Sequence, residues 1–292
     1  MAINRIPALF GSVGRVRLGA VLLLFLLLSA CSSTTFLYNR LDILLPWYLD
    51  DYVDITRDQR TSLDEWLKPF LHWHRVDELP HYVALLEHIE QSLDKPVTAE
   101  TVGQFYAALE QAWLRLEDRA MNWIFKLGAD LSDEQIAEFL LVLQQQQEEY
   151  EEEYLPRSEE EYRQDSYENL LDSLQDYLGR LDKNQRAVLR EAGAELARMD
   201  ALWLEERAVW LVKLNEVLQR EPGWQQALTD AMAARNTNHS KAYMQAYAHN
   251  LEVVQRAIAT TLNSRSDKQD RRLRKKLNNL REDLQTLTSQ GG

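Results

Sequence analysis

Five residues between His72 and His88 carry side chains that suit metals and proton transfer: His72, His74, Glu78, His81 and His88. Imidazole nitrogen is the commonest transition-metal ligand, and a carboxylate oxygen can join it. His74 and Glu78 stand four apart, so one helix face can carry both. Pro80 is expected to open a new helix behind an Asp77 N-cap, which takes His81 off that face. No H-E-x-x-H string is present. The expectation is therefore no bound metal, with His74, Glu78 and His81 kept as the candidate ligands. Trp73 and His74 are expected to pack at a helix junction, with His74 donating to a backbone carbonyl. No G-x-S-x-G, P-loop or G-x-G-x-x-G string occurs. Acids are abundant, but no spacing singles out a pair for glycan hydrolysis. No catalytic residue and no cofactor are expected.

Cysteine occurs once, at Cys31. A disulfide scaffold and a Cys-His enzyme are thereby excluded. Arg5, Arg15 and Arg17 precede an uncharged, mostly apolar run of 13 residues, Leu18 to Ala30. That run has the length of a signal-peptide core and is short of the roughly 20 residues that span a bilayer. It ends in Leu28-Ser29-Ala30-Cys31, which matches the bacterial lipobox. Small residues let the scissile bond enter a membrane peptidase, and the thiol takes the lipid. Cys31 is thus the expected lipid attachment site, and residues 1–30 the expected signal peptide. Ser32 follows, not Asp, as in lipoproteins sorted to the outer membrane of Gram-negative bacteria. The expected location is the periplasmic face of that membrane.

The formal net charge is −13, and −16 for residues 31–292. Such acidity argues against a nucleic-acid partner. The charge is uneven. Asp130 to Asp176 holds sixteen acids and two arginines, while Ser264 to the end holds eight bases and four acids. A run of acids is usually a solvated helix face, and no calcium-loop spacing appears. Arg271, Arg272, Arg274, Lys275 and Lys276 form a candidate interaction surface. It can meet the acidic block or anionic headgroups, or serve self-association.

The elements that must position these groups are helices. Glycine is scarce, at ten residues, and no segment sustains a period of two. Val102, Phe105, Leu109, Trp113, Leu116, Ala120, Trp123 and Leu127 repeat every three or four residues. So do Tyr167, Leu171, Leu174, Leu178 and Leu181. Another stripe runs from Leu189 through Ala192, Leu196, Met199 and Trp203 to Trp210, Leu214 and Val217. The last is Leu273, Leu277, Leu280, Leu284 and Leu287. This predicts an all-α, multi-helix bundle of eight or nine helices with no sheet. Three parts are expected: a kinked 31–95 interrupted by Pro46, Pro69 and Pro80, a long-helix 96–263, and a basic amphipathic helix over 264–290. Asp94-Lys95-Pro96 and Glu221-Pro222-Gly223 mark breaks. Arg235 to Ser240 is either a bend or the exposed face of a continuing helix. Trp113, Trp123, Trp203 and Trp210 are expected in the core, with Trp47 and Trp66 more open.

Three helix starts share one string: Ile55-Thr56-Arg57-Asp58-Gln59, Leu131-Ser132-Asp133-Glu134-Gln135 and Leu181-Asp182-Lys183-Asn184-Gln185. Each predicts a capping box, in which the cap oxygen accepts from the N3 amide and the Gln reaches back. The string resembles the Leu-Thr-x-x-Gln motif of Spy/CpxP-type periplasmic chaperones, which bind unfolded clients. The stretch Phe36-Leu37-Tyr38-Asn39-Arg40-Leu41-Asp42, then Leu45-Pro46-Trp47-Tyr48, Trp73-His74-Arg75 and Glu78-Leu79-Pro80-His81-Tyr82 is similar to a family of uncharacterised helical lipoproteins of Gram-negative bacteria. That resemblance implies a location and a fold, and no activity.

The expected function is non-enzymatic binding, scaffolding or chaperone-like work by a lipid-anchored envelope protein. The expected partners are the membrane, through the anchor, and an envelope protein or unfolded client. The alternative is a cell-wall enzyme with its site near His74 and Glu78.

Overall fold

The computed structural model describes residues 33–291. Cys31, the expected signal peptide and Ser32 lie outside them. Every regular element among the described residues is helical: α1 (Ser33–Tyr38), α2 (Leu41–Leu49), α3 (Arg57–Trp73), α4 (Leu79–Ser92), α5 (Ala99–Asp130), α6 (Asp133–Tyr154), α7 (Glu159–Leu178), α8 (Lys183–Glu195), α9 (Asp200–Val217), α10 (Trp224–Thr237), α11 (Lys241–Asn263) and α12 (Asp267–Ser289). A π-helical turn, His74–Glu78, joins α3 to α4 without a break. Taking those two as one, there are eleven helices among the described residues rather than eight or nine.

Two local effects explain the difference. The first thirds of the chain split finely, with α1 and α2 only 6 and 9 residues long. The stripe from Leu189 to Val217 also belongs to two helices. Helix α8 stops at Glu195 and α9 starts at Asp200, with Leu196 extended between them. Gly193 stands in the last turn of α8, but neither Pro nor Gly follows the stop. The buried Asn250 side chain of α11 holds it open: Oδ1 accepts from the Ala197 N–H at 2.8 Å, and Nδ2 donates to the Ala197 carbonyl at 2.8 Å. A side chain that satisfies both backbone groups of one residue replaces the helical partners it would otherwise need.

Proline behaves differently from expectation. Pro69 sits inside α3, and both it and Glu65 are exposed, so the carbonyl left without a donor faces water. Pro80 does stand in the first turn of α4, but Asp77 does not cap that helix. Leu79 N–H instead reaches back five residues to the His74 carbonyl, the wide spacing of a π turn. Proline follows directly where its missing N–H costs least. Arg235 to Ser240 resolves as a bend, since α10 ends at Thr237 and α11 begins after the Ser240 cap.

Helix α5 is the spine. Its 32 residues span about 48 Å at 1.5 Å per residue. Its N-terminal half joins the main core, which draws on residues from Tyr38 and Leu41 through Leu170 and Leu189 to Leu284 and Leu287. Its C-terminal half packs with Trp210, Leu214, Trp224 and Leu228. Helix α12 lays Leu273, Leu277, Leu284 and Leu287 against α4 and α7, and its end meets α1. Both ends of the described chain therefore close on one another, and Asn39 Nδ2 donates to Gln290 Oε1 at 3.1 Å. Trp203 is buried, Trp113, Trp123, Trp210 and Trp66 are half-buried, and Trp47 is 64% exposed.

Candidate functional site

The π turn carries the buried imidazole and the buried carboxylate of the fold's N-terminal third. His74 and Glu78 both point inward. His81 is exposed, as are His72 and His88, so the turn does not bring the candidate ligands together. Among the described residues no group of three His, Cys, Asp or Glu is placed to hold a metal ion.

The His74 ring sits in an aromatic box. Tyr38 stacks on it with centroids 5.6 Å apart, Phe70 at 6.5 Å, and Trp73 and Tyr82 present edges at 6.3 and 5.7 Å. The Tyr38 hydroxyl lies 2.7 Å from Nδ1. So the His74 partner is a side chain of α1, not a backbone carbonyl. Burial in this box, with help from the Arg75 charge, lowers the His74 pKa to about 4. The imidazole is neutral at ordinary pH. Burial likewise pushes the Tyr38 phenol up to about 12.

Glu78 is only 1% exposed. Its carboxylate takes a bidentate grip from Arg115 of α5, with Nε donating to Oε2 at 2.9 Å and Nη2 to Oε1 at 2.6 Å. The fork matches the carboxylate geometry and neutralises the charge. That hydrogen bond is also the main reason the Arg115 pKa is raised. Burial first, and the Glu78 charge second, push the Tyr82 phenol up. Chemically, then, the turn holds a neutral imidazole bound to a phenol and a carboxylate bound to a guanidinium. Each group is matched within the fold, and the pairs lock α1, α3, α4 and α5 together.

The basic residues of α12 divide into two sets. Arg274 turns inward to Asp94, at 2.9 Å, and to Asp270, at 2.9 Å, and Arg281 reaches Glu90 at 3.1 Å. These ion pairs go to the end of α4 and the start of α12 rather than to the acidic block over 130–176. Lys276 lies over the Tyr177 ring at 5.3 Å. Arg271, Arg272 and Lys275 are exposed, together with Lys268, and their spacing puts all four on one face.

All three capping boxes form, at Thr56, Ser132 and Asp182. Two more form at Ser158 and Ser266, whose Ser-x-x-Glu and Ser-x-x-Gln strings carry the same signal. Their glutamines do more than cap. Gln59 and Gln135 face each other and exchange hydrogen bonds at 2.9 and 2.8 Å. Gln59 also donates to the Asp130 carbonyl at 2.8 Å, and Gln135 to the Asp54 carbonyl at 2.7 Å. Gln185 and Gln269 repeat the arrangement, exchanging bonds at 3.1 and 2.9 Å and donating to the Ser264 and Arg180 carbonyls. In all four cases the carbonyl lies two residues before the partner's cap. Each carboxamide spends both N–H groups and both lone pairs. The spacing string reveals the boxes, but nothing in sequence reveals which boxes pair. Arg115 and Tyr38 escape sequence reasoning for the same reason, being distant in the chain.

The profile of a family described as a family of unknown function (DUF6279) matches residues 51–244, about two thirds of the chain. No curated protein and no solved structure matches.

Proposed function

The chain belongs to the DUF6279 family of unknown function, and we propose that it is a lipid-anchored outer-membrane lipoprotein that acts by binding rather than by catalysis. One observation carries this. The Leu28-Ser29-Ala30-Cys31 string ends, in sequence, two residues before Ser33, where helix α1 starts. A lipid on a thiol that precedes the described helices in sequence would leave those helices unmodified, which supports the anchored reading. Stable anchoring takes more than one acyl chain, and a lipoprotein cysteine carries two or three. The Ser32 position supports the outer membrane as the destination.

The binding role rests on what the buried polar groups do. His74 is capped by Tyr38 and Glu78 is gripped by Arg115, which removes support for the alternative of a cell-wall enzyme at that place. A chaperone-like role is favoured within the binding class by the paired capping glutamines, which elaborate the string that resembles the Leu-Thr-x-x-Gln motif of Spy/CpxP-type proteins.

The test is metabolic labelling with an alkyne-tagged palmitate, followed by density separation of the membranes. Wild type is expected to carry the label and to sediment with the outer membrane. Cys31→Ser is expected to lose the label. An unlabelled wild-type protein overturns the lipid-anchored assignment. For the chaperone-like role, the purified chain is expected to suppress aggregation of a reduced client near stoichiometric ratio, and no suppression removes it.

A further inference from the structure

Large exposed apolar side chains are concentrated at the start of the fold. Phe36, Leu37, Ile43, Trp47 and Tyr48 are 55, 36, 58, 64 and 55% exposed. They fall within 13 residues of chain, on α1 and α2. The remaining exposed large apolar residues of the described chain, such as Val209, Val212, Leu141 and Met244, are scattered over α6, α9 and α11. Isolated exposed apolar residues are ordinary, whereas a contiguous group marks a contact surface.

The group is contiguous because the backbone stays nearly helical across the α1–α2 junction. Arg40 N–H bonds to the Leu37 carbonyl, and Ile43 and Leu44 N–H both bond to the Arg40 carbonyl. Phe36, Arg40, Ile43 and Trp47 therefore succeed one another at spacings of four, three and four. Phe36 and Ile43 line one shallow groove with Thr35, Asn39, Arg40 and Asp42. The Arg40 guanidinium lies over the Phe36 ring, 4.5 Å from its centroid, so the one base of the stripe keeps its stem on apolar surface and its head at the edge. The opposite side of the same two helices is anchored, since Tyr38, Leu41 and Pro46 are buried.

We propose that this face of α1 and α2 is a membrane foot that lies in the interface of a zwitterionic lipid bilayer. Position argues for the occupant. Ser33 is two residues from Cys31, so an acyl group on that thiol holds the start of α1 within about 7 Å of the bilayer surface. Side-chain chemistry argues likewise, because Trp and Tyr favour the headgroup level, with an apolar body and a polar tip. Helix α2 has 9 residues, and no described helix is long and apolar enough to cross a membrane, so this segment lies on the bilayer. Charge selects the lipid class. Asp50 is paired with Arg60 at 2.6 Å, and Asp42 and Asp51 offset Arg40 and the nearby Arg75, which bonds Asn39 at 2.8 Å, so no net attraction to anionic headgroups is left. The basic face of α12 would behave oppositely, requiring anionic lipid and weakening in salt.

The inference rests on the lipid-anchored assignment for its geometry, but its test does not need the lipid. The chain from residue 31 to 292 carrying Cys31→Ser, which lacks the apolar run 18–30, and acylated wild type reconstituted in vesicles, are compared on phosphatidylcholine vesicles containing a brominated acyl chain. Trp47 fluorescence is expected to be quenched in both, with Trp47→Phe losing that quenched component. Flotation of the Cys31→Ser chain is expected to fall about tenfold when Ile43→Ser and Trp47→Ser are added. It is expected to hold when Val209→Ser and Val212→Ser are added instead, and to be insensitive to salt. Unchanged helical circular dichroism keeps the comparison among folded chains. Flotation indifferent to Ile43 and Trp47 overturns the foot even if Cys31 carries lipid. Unlabelled Cys31 with quenched Trp47 overturns the anchor and leaves the foot standing. Binding that appears only with phosphatidylglycerol and vanishes in salt assigns the contact to α12 and overturns the foot. An unquenched Trp47 with a dimer that Trp47→Ser dissolves assigns the face to a second copy of the chain, with the same consequence.

Discussion

The side chains of Gln59 and Gln135 clasp each other across 76 residues of sequence, each giving one N–H to the other's oxygen. Each still closes its own capping box. The clasp converts two helix starts, which are local features, into one tertiary contact between α3 and α6. Gln185 and Gln269 do the same for α8 and α12, in a more buried setting, at 1 and 7% exposed.

Gln185→Glu is the sharpest probe of that clasp. A carboxylate keeps the reach-back to the Asp182 N–H only through its oxygens and loses both donors. It then faces the Ser264 carbonyl and the Gln269 oxygen. The expected loss is about 3 kcal/mol at pH 7 from a buried, unmatched charge. Burial raises the pKa of the introduced acid in the folded state. Its penalty is therefore smallest below the unfolded carboxyl pKa of about 4.3 and grows as pH rises through the folded value. Urea unfolding at pH 4 and pH 7 measures it, with the gap to wild type widening at the higher pH.

The Glu78–Arg115 pair is asymmetric, because Glu78 is enclosed while the Arg115 side chain is 42% exposed. Arg115→Met strands a buried carboxylate and is expected to cost about 2 kcal/mol, a discounted value because water reaches one side. Glu78→Gln with Arg115→Met removes the charge as well. The double variant is expected to be more stable than Arg115→Met alone, as a double-mutant cycle by chemical denaturation shows.

His74 gives the fold a defined acid response. Its pKa is lowered from 6.5 to about 4, first by burial and then by Arg75. The unfolded chain thus binds a proton that the folded chain refuses between those values. Stability from this group is complete above pH 6.5 and falls as pH drops toward 4, by about 3 kcal/mol in all. His74→Phe is expected to remove that part of the pH slope. It should also cost about 1 kcal/mol at pH 7, because the Tyr38 hydroxyl loses its partner. Melting curves from pH 7 to 4 on both chains provide the readout.

Asn250 is fully buried and holds both backbone groups of Ala197. Asn250→Leu leaves the Ala197 N–H without that acceptor and is expected to cost about 2 kcal/mol. Amide hydrogen exchange at Ala197 is expected to speed up, while exchange in the middle of α5 follows only the global loss.

Helical content, the long α5, the leucine seam of α12 and three capping boxes were legible because each depends on residues within a turn or two of one another. The 3.6-residue period and the Ser/Thr/Asp-x-x-Gln string encode them locally. The stop at Glu195 was not legible. Leu189 to Val217 keeps its period straight through, and the interruption comes from Asn250, 53 residues downstream. Nor was the π turn legible: Pro80 does mark the first turn of α4, but no Asp77 cap separates it from α3, because His74–Glu78 carries the chain through.

By itself, the sequence determined that the described chain is all-helical and where its apolar stripes lie. The tertiary structure decided which polar groups meet: His74 with Tyr38, Glu78 with Arg115, and each glutamine with its opposite number. It also decided which apolar face stays open, since Phe36 and Tyr38 look alike in sequence yet one is 55% exposed and the other 2%. The physical reason is range. Periodicity and capping act within a few residues, whereas these partner choices join side chains 36 to 84 residues apart and depend on which helices pack together.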